Sequence, residues 1–168
     1  ISSADIVIEA IVENADIKRQ LYSELESEMK RTAILGTNTS SIKLEVLSSE
    51  MKNPERLVGI HFFNPVAKMP LVEVVYSDIT SEDVIEKSMS FCRHIDKLPL
   101  KVKSSPGFLV NRVLMPTLIE AINMLDEGYS KEEIDNSFTD FGMPMGPLLL
   151  ADTVGLDVCY FVTDIISE

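Results

Sequence analysis

The chain has 168 residues and a formal net charge of -12, a length that suits one large domain or two small ones. With 45% hydrophobic and 25% charged residues it can fill a core behind an ordinary surface. It contains no run of about 18 uncharged apolar residues of the kind that spans a membrane, no secretory-signal pattern at its start, and no basic face for nucleic acid phosphates.

The segment Ile6 to Ala10 is a short apolar run and reads as a buried strand. Asn14 is placed to cap a helix that runs to about Met29, with Ile17, Leu21, Leu25 and Met29 recurring on one face. Ala33 to Gly36 is the next strand and Leu44 to Leu47 a short helical turn. Leu57 to Phe63 is a third strand, ended by Asn64-Pro65, and Leu71 to Val75 a fourth. Thr80 with Asp83 has the spacing of a capping box and opens a helix to about His94, followed by a fifth strand at Leu98 to Val102. This strand-helix alternation predicts a mostly parallel sheet with helices on its faces.

Lys103 to Gly107 marks a domain boundary, beyond which strand signals stop. Helices are predicted from about Phe108 to Glu127, from Lys131 with Ser130 and Glu133 as a capping box, from Pro147, and from about Leu156 to the end. Residues 1–103 therefore read as α/β and 104–168 as all-helical. A doubly wound sheet normally opens on strand, glycine-rich turn and helix, yet no G-x-G-x-x-G occurs anywhere and the chain opens directly on a strand. Either the fold is a different α/β fold, or its first βαβ portion lies upstream.

Ligands of open α/β sheets gather beyond the carboxyl ends of the strands. There the first strand leads to Glu13-Asn14, the second to Thr37 through Ser41, and the third to His61 and Asn64. His61, in an apolar strand, reads either as a half-buried histidine satisfied by a backbone group or as a general base. Glu73 sharpens the choice, because a bare carboxylate in mid-strand is costly to bury and needs a partner; it otherwise faces water on an edge strand. The short link from Asn64 to Met69 brings its strand beside that of His61, and a carboxylate on one imidazole nitrogen fixes the tautomer and stabilises the protonated ring. Ser40 and Ser41 lack the G-x-S-x-G elbow of a nucleophile and suit ligand hydrogen bonding or a cap. Asn111 reads as an exposed position early in an apolar helix, Lys18 and Arg19 as surface residues, and Met143 to Pro147 as a rigid connector. Cys92 and Cys159 form no C-x-x-C pattern and read as reduced thiols; the two histidines show no metal-ligand spacing, so no metal is expected.

Six runs, Glu9 to Asn14, Asn38 to Ser41, His61 to Pro65, Leu71 to Val74, Pro106 to Arg112 and Pro144 to Pro147, resemble in order and spacing those of L-3-hydroxyacyl-CoA dehydrogenases, over nearly the whole chain. The resemblance implies a Rossmann-like α/β domain, N-terminally truncated, followed by an all-helical C-terminal domain that binds substrate and forms a homodimer. It implies oxidation of the 3-hydroxyl of an acyl-CoA, with hydride passing to NAD, in a stand-alone enzyme or a multifunctional β-oxidation enzyme. By it His61 is the base and Glu73 its partner; Ser40, Asn64 and Asn111 bind substrate; Glu13, Lys18 and Asn38 surround the nicotinamide ribose. A cytoplasmic location follows, with a mitochondrial origin left open. The missing glycine-rich turn, the missing acidic residue for the adenine ribose, and Leu148-Leu149-Leu150 where many members carry an acidic residue depart from the family. The chain alone is therefore expected to bind NAD weakly, and the rival expectation is a non-catalytic dimerisation or structural module of the same fold. A relative of 6-phosphogluconate-type dehydrogenases shares the layout but lacks a sugar-phosphate site here.

Overall fold

A computed structural model describes residues 1–167, apart from the side chains of Phe161, Ile165 and Ser167. Residues Ile1–Phe108 and Leu109–Glu168 form two compact units.

The first unit is built on five strands, β1 (Ile6–Glu9), β2 (Ile34–Thr37), β3 (Leu57–Phe62), β4 (Leu71–Tyr76) and β5 (Leu98–Lys103), in the spatial order β1-β2-β3-β4-β5. All neighbours are parallel except β3 and β4, which run antiparallel. The helices α1 (Ala15–Glu28), α2 (Leu44–Leu47) and α3 (Glu82–His94) connect them. Strand residues alternate between faces, and two cores follow. On one face Leu35, Leu57, Val75 and Val102 pack with Tyr22, Leu25 and Met29 at α1 and with Leu44 and Leu47 of α2. On the other Ile34, Val58, Ile60, Val72 and Val74 pack with Val84 and Cys92 of α3. The expected Rossmann-like α/β layout followed by helices is observed.

Two local expectations are corrected. Asn14 does cap α1, accepting from the Asp16 and Ile17 amides, but Ile17 is 47% exposed, and the inward residues are Lys18, Tyr22 and Leu25. Leu25 and Met29 of the apolar stripe are buried as expected, but in its first half Lys18 and Tyr22 take the inward positions, because the α1 face of the sheet holds a carboxylate that draws them in. The cap of α3 is Ser81, whose side chain accepts from the Val84 amide. Thr80 instead donates to the Leu57 carbonyl and accepts from the Ser77 amide.

Gly59 faces Val75 across the antiparallel pair. A Cβ at Gly59 would lie 2.7 Å from the Val75 Cβ, so the sheet closes only because that atom is missing.

The second unit holds α4 (Val110–Asp126), α5 (Lys131–Phe141), α6 (Pro147–Val154) and α7 (Leu156–Ser167). Ser130 and Glu133 form the expected capping box on α5. Met115 and Leu118 pack with Ala151, Cys159 and Val162, and Ala121 with Ile134 and Leu148. The connector before α6 is more than a rigid link. The Asp135 carboxylate accepts from the Leu148 amide at 2.9 Å, seating a negative charge at the start of α6, and it fills the space that a Cβ on Gly146 would take.

Replacing Gly59 by Ala is expected to destabilise the first unit by about 1–3 kcal/mol, the range for overpacking a closed core. Thermal denaturation of the two proteins measures it; an unchanged midpoint would show that the Val75 contact relaxes without cost.

Candidate active site

The parallel strands β1, β2 and β3 end on the same edge of the sheet. On the α1 face, alternation places Glu9 and Thr37 at two of these ends, paired in register. Glu9 is buried with four donors on its carboxylate. One oxygen accepts from the Ile11 amide and the Lys18 ammonium, both at 2.7 Å. The other accepts from the Tyr22 hydroxyl at 2.6 Å and the Thr37 hydroxyl at 2.9 Å. Burial pushes the Glu9 carboxyl up, but the bonds from Lys18, Tyr22 and Ile11 outweigh it and hold the group below its ordinary 4.5. Burial, and then the bond to Glu9, push the Tyr22 phenol above its ordinary value.

Glu13 follows on the loop after β1 and is 24% exposed at its side chain. Its Oε1 accepts from the Thr39 hydroxyl, from the Ser40 amide at 3.0 Å and from the Ser41 hydroxyl at 3.3 Å. Its Oε2 stands 3.4 Å from the Lys18 ammonium. Asn38 ties the strand ends together: its amide donates to the Glu9 carbonyl at 2.8 Å, and its Oδ1 accepts from the Phe62 amide at 2.9 Å.

His61 and Glu73 are direct partners in the β3–β4 register. His61 Nδ1 and Glu73 Oε2 are 2.8 Å apart, with Glu73 0% and His61 6% exposed. The rings of Phe63 and Phe108 flank the imidazole, at centroid distances of 4.6 and 5.6 Å. Phe108 is buried and holds φ at 51°, an uncommon backbone state for a non-glycine residue.

The structure thus brings His61 together with Glu73, and Glu13 with Lys18 and Ser40, with Asn38 bonded to the backbone beside His61. Asn64 is exposed just past β3, at a cis bond to Pro65. Asn111 belongs to the helical unit, in the first turn of α4. Two readings are corrected. Lys18 is not a surface residue but 1% exposed, and Glu73 does not face water on an edge strand, since β4 lies between β3 and β5. Glu9 was missed, hidden at the end of an apolar run. The signal that finds it is the rule applied to Glu73: a charge inside a strand needs a partner, and Lys18 and Tyr22 stand on one face of the next helix.

A sheet with helices on both faces and a polar crevice beyond its parallel strand ends, followed by a helical unit, is the layout of two-domain α/β dehydrogenases. The family model described as 3-hydroxyacyl-CoA dehydrogenase, NAD binding domain, matches residues 1–105, and its C-terminal domain counterpart matches 107–168. The chain belongs to the 3-hydroxyacyl-CoA dehydrogenase family. It is 41% identical over 166 residues to the fatty acid oxidation complex subunit alpha of Pseudomonas entomophila (strain L48), covering 99% of this chain and 23% of that protein. Among solved structures, 3-hydroxybutyryl-CoA dehydrogenase from Escherichia coli K12 matches with a TM-score of 0.93 and 42% identity, over 98% of this chain and 35% of that one. The (S)-3-hydroxybutyryl-CoA dehydrogenase from Ralstonia eutropha matches with a TM-score of 0.94 and 39% identity, over 98% and 59%. The chain spans about a quarter of the length of the curated relatives it matches.

The lowered Glu9 carboxyl has a consequence for stability. Its contribution is present above the ordinary value of 4.5 and is lost as the pH falls through the lowered folded value. The melting temperature is expected to drop more steeply on acidification below 4.5 in the unsubstituted protein than in Glu9→Gln, which does not titrate. Parallel curves would show that Glu9 carries none of this dependence.

Proposed function

We propose that the chain carries the catalytic base and the nicotinamide-side wall of an NAD-dependent dehydrogenase that oxidises L-3-hydroxyacyl-CoA to 3-ketoacyl-CoA in fatty acid β-oxidation. The observation that carries this reading is the buried His61–Glu73 pair, set across two strands at the edge where Glu13, Asn38 and Ser40 gather. Family membership and the dehydrogenases among its relatives support it.

Glu73 engages Nδ1 of His61 and so leaves Nε2 to meet the substrate hydroxyl. Nε2 takes the hydroxyl proton, and the positive charge that forms on the ring faces the Glu73 carboxylate. Bound NAD would supply the acceptor for the hydride from C3 of the substrate. Phe63 and Phe108 keep water from the imidazole. Ser40 and Asn64 hold the substrate near its reacting oxygen, and Asn111 is the substrate-binding residue proposed in the helical unit. Glu13, Lys18 and Asn38 form the wall toward the nicotinamide ribose, and the partly exposed carboxylate of Glu13 is an acceptor suited to sugar hydroxyls. On this reading residues 1–103 are the second part of the NAD-binding domain and 104–168 the substrate-binding and dimerisation domain of a cytoplasmic enzyme. In the helical unit the exposed Val113, Phe141, Leu156 and Tyr160 supply apolar surface for a homodimer.

In the whole enzyme, His61→Gln is expected to lower kcat by about 10³-fold or more, and Glu73→Gln by about 10²- to 10⁴-fold, the range for losing a positioned base or the group that orients it. Binding of acetoacetyl-CoA, followed by calorimetry, is expected to change little in both. Full activity in His61→Gln would sink the assignment. One observation favours a second reading for the chain by itself: its 168 residues contain no glycine-rich turn for a pyrophosphate. Titration of the chain is expected to show binding of acetoacetyl-CoA with weak binding of NADH. A dimer by sedimentation that binds neither would favour a non-catalytic dimerisation module.

A further inference from the structure

Behind the proposed ribose wall lies a buried charge cluster around Lys18, in which Glu9 has no assigned role. Lys18 is as deeply buried as the core leucines around it, and an ammonium has three hydrogens to donate. Three acceptors stand around Nζ: Glu9 Oε1 at 2.7 Å, Glu13 Oε2 at 3.4 Å and the Ile11 carbonyl at 3.5 Å. The ammonium is fully occupied inside the protein, so its influence on a ligand passes through the group next to it. That group is Glu13, whose Oε1 is held by Thr39, Ser40 and Ser41 and whose Oε2, among the described residues, has the long contact to Lys18.

We propose that Glu9 is a positioning residue for the cofactor side of the site: it anchors the Lys18 ammonium, so that Glu13 keeps both its orientation and an accepting oxygen for the ribose hydroxyls of NAD. The inference rests on the function proposed above. Glu9 is itself fixed from three elements, by the Thr37 hydroxyl from β2, by Tyr22 and Lys18 from α1, and by the Ile11 amide on the loop after β1. Its negative charge balances the ammonium and leaves that of Glu13 uncompensated. Without the charge on Glu9, the nearest anion for Lys18 is Glu13 Oε2. The ammonium then closes the longer contact into a direct bond and occupies the oxygen that would accept from the ribose.

The test is Glu9→Gln in the whole enzyme, a substitution close in shape that removes the charge. The Kd for NADH, read by fluorescence titration, is expected to rise about tenfold, the size of one lost hydrogen bond to a charged group. The KM for NAD should rise with it, while kcat at saturating NAD and the KM for the acyl-CoA stay within about twofold, since those steps use other groups. In a Glu13→Gln background, Glu9→Gln is expected to have no further effect on NADH binding, because the two act in series. Unchanged NADH binding in folded Glu9→Gln overturns the proposal, and so do additive effects in the double variant or a common loss of kcat and both KM values. Should Glu9→Gln fail to fold, Glu9→Asp keeps a carboxylate but draws it back from the ammonium it anchors. The same NADH-selective loss supports the proposal, and its absence overturns it. Failure of the broader function looks different: NADH then binds Glu13→Gln as tightly as the unsubstituted enzyme, or binds neither.

Discussion

A carboxylate taken out of water costs several kcal/mol unless hydrogen bonds and an opposite charge replace the lost solvent. The α1 face of the sheet carries two of them, Glu9 at the end of β1 and Glu73 on β4, both buried. Much of the local structure answers to this pair. Glu9 collects an ammonium, a phenol, a threonine hydroxyl and a backbone amide, and it turns α1 so that Lys18 and Tyr22 point inward while Ile17 is left to solvent. Glu73 takes the imidazole of His61 as its partner.

The reversal between β3 and β4 is what makes the second arrangement available. Parallel neighbours need a long crossover between strands, whereas an antiparallel pair is joined by a short link. Eight residues separate Phe62 from Leu71, and the strands come back in a register that sets His61 opposite Glu73. Two residues back along β3, Gly59 lets the same two strands close over Val75. The bare Cα and the imidazole share one face, so the close approach that demands glycine and the pairing that positions the histidine are two results of one strand register.

The order of elements, the strand beside that of the histidine and the helical second half were legible in the sequence, because strands with unbroken apolar runs and helices with clear caps carry their own signals. Asn14 and Ser130 cap as their side chains and spacing predict. What was not legible depends on contacts between elements. Periodicity selects the stripe Ile17, Leu21, Leu25 and Met29, and its last two residues are buried as it predicts; at the start of α1 a carboxylate on a neighbouring strand brings Lys18 and Tyr22 inward and leaves Ile17 exposed. Thr80 and Ser81 are both good caps, and the choice fell to Ser81 because Thr80 is engaged by the Leu57 carbonyl and the Ser77 amide. Asp135 at the start of α6 is eleven residues from Gly146 in sequence, a distance over which local rules say nothing. Glu9 was hidden in the same way, since its four partners are spread from Ile11 to Thr37.

The two carboxylate clusters are also mechanically joined. Asn38 donates from its backbone to the Glu9 carbonyl and accepts at its side chain from the Phe62 amide, which adjoins His61. A residue just past a strand end ordinarily loses the ladder that fixes its neighbours; here one asparagine continues the pairing of β1 with β2 through its amide and that of β2 with β3 through its side chain. The carboxyl end of the sheet is therefore closed over three strands beyond the last regular pair. A shift of β1 that moved Glu9, and with it Lys18 and Glu13, would have to break the same residue that holds the backbone next to the imidazole. The spacing between Glu13 and His61 is thus held by one residue bonded to the backbones on both sides, through its amide to β1 and through its side chain to β3, the kind of rigid support that fixes side chains relative to one another.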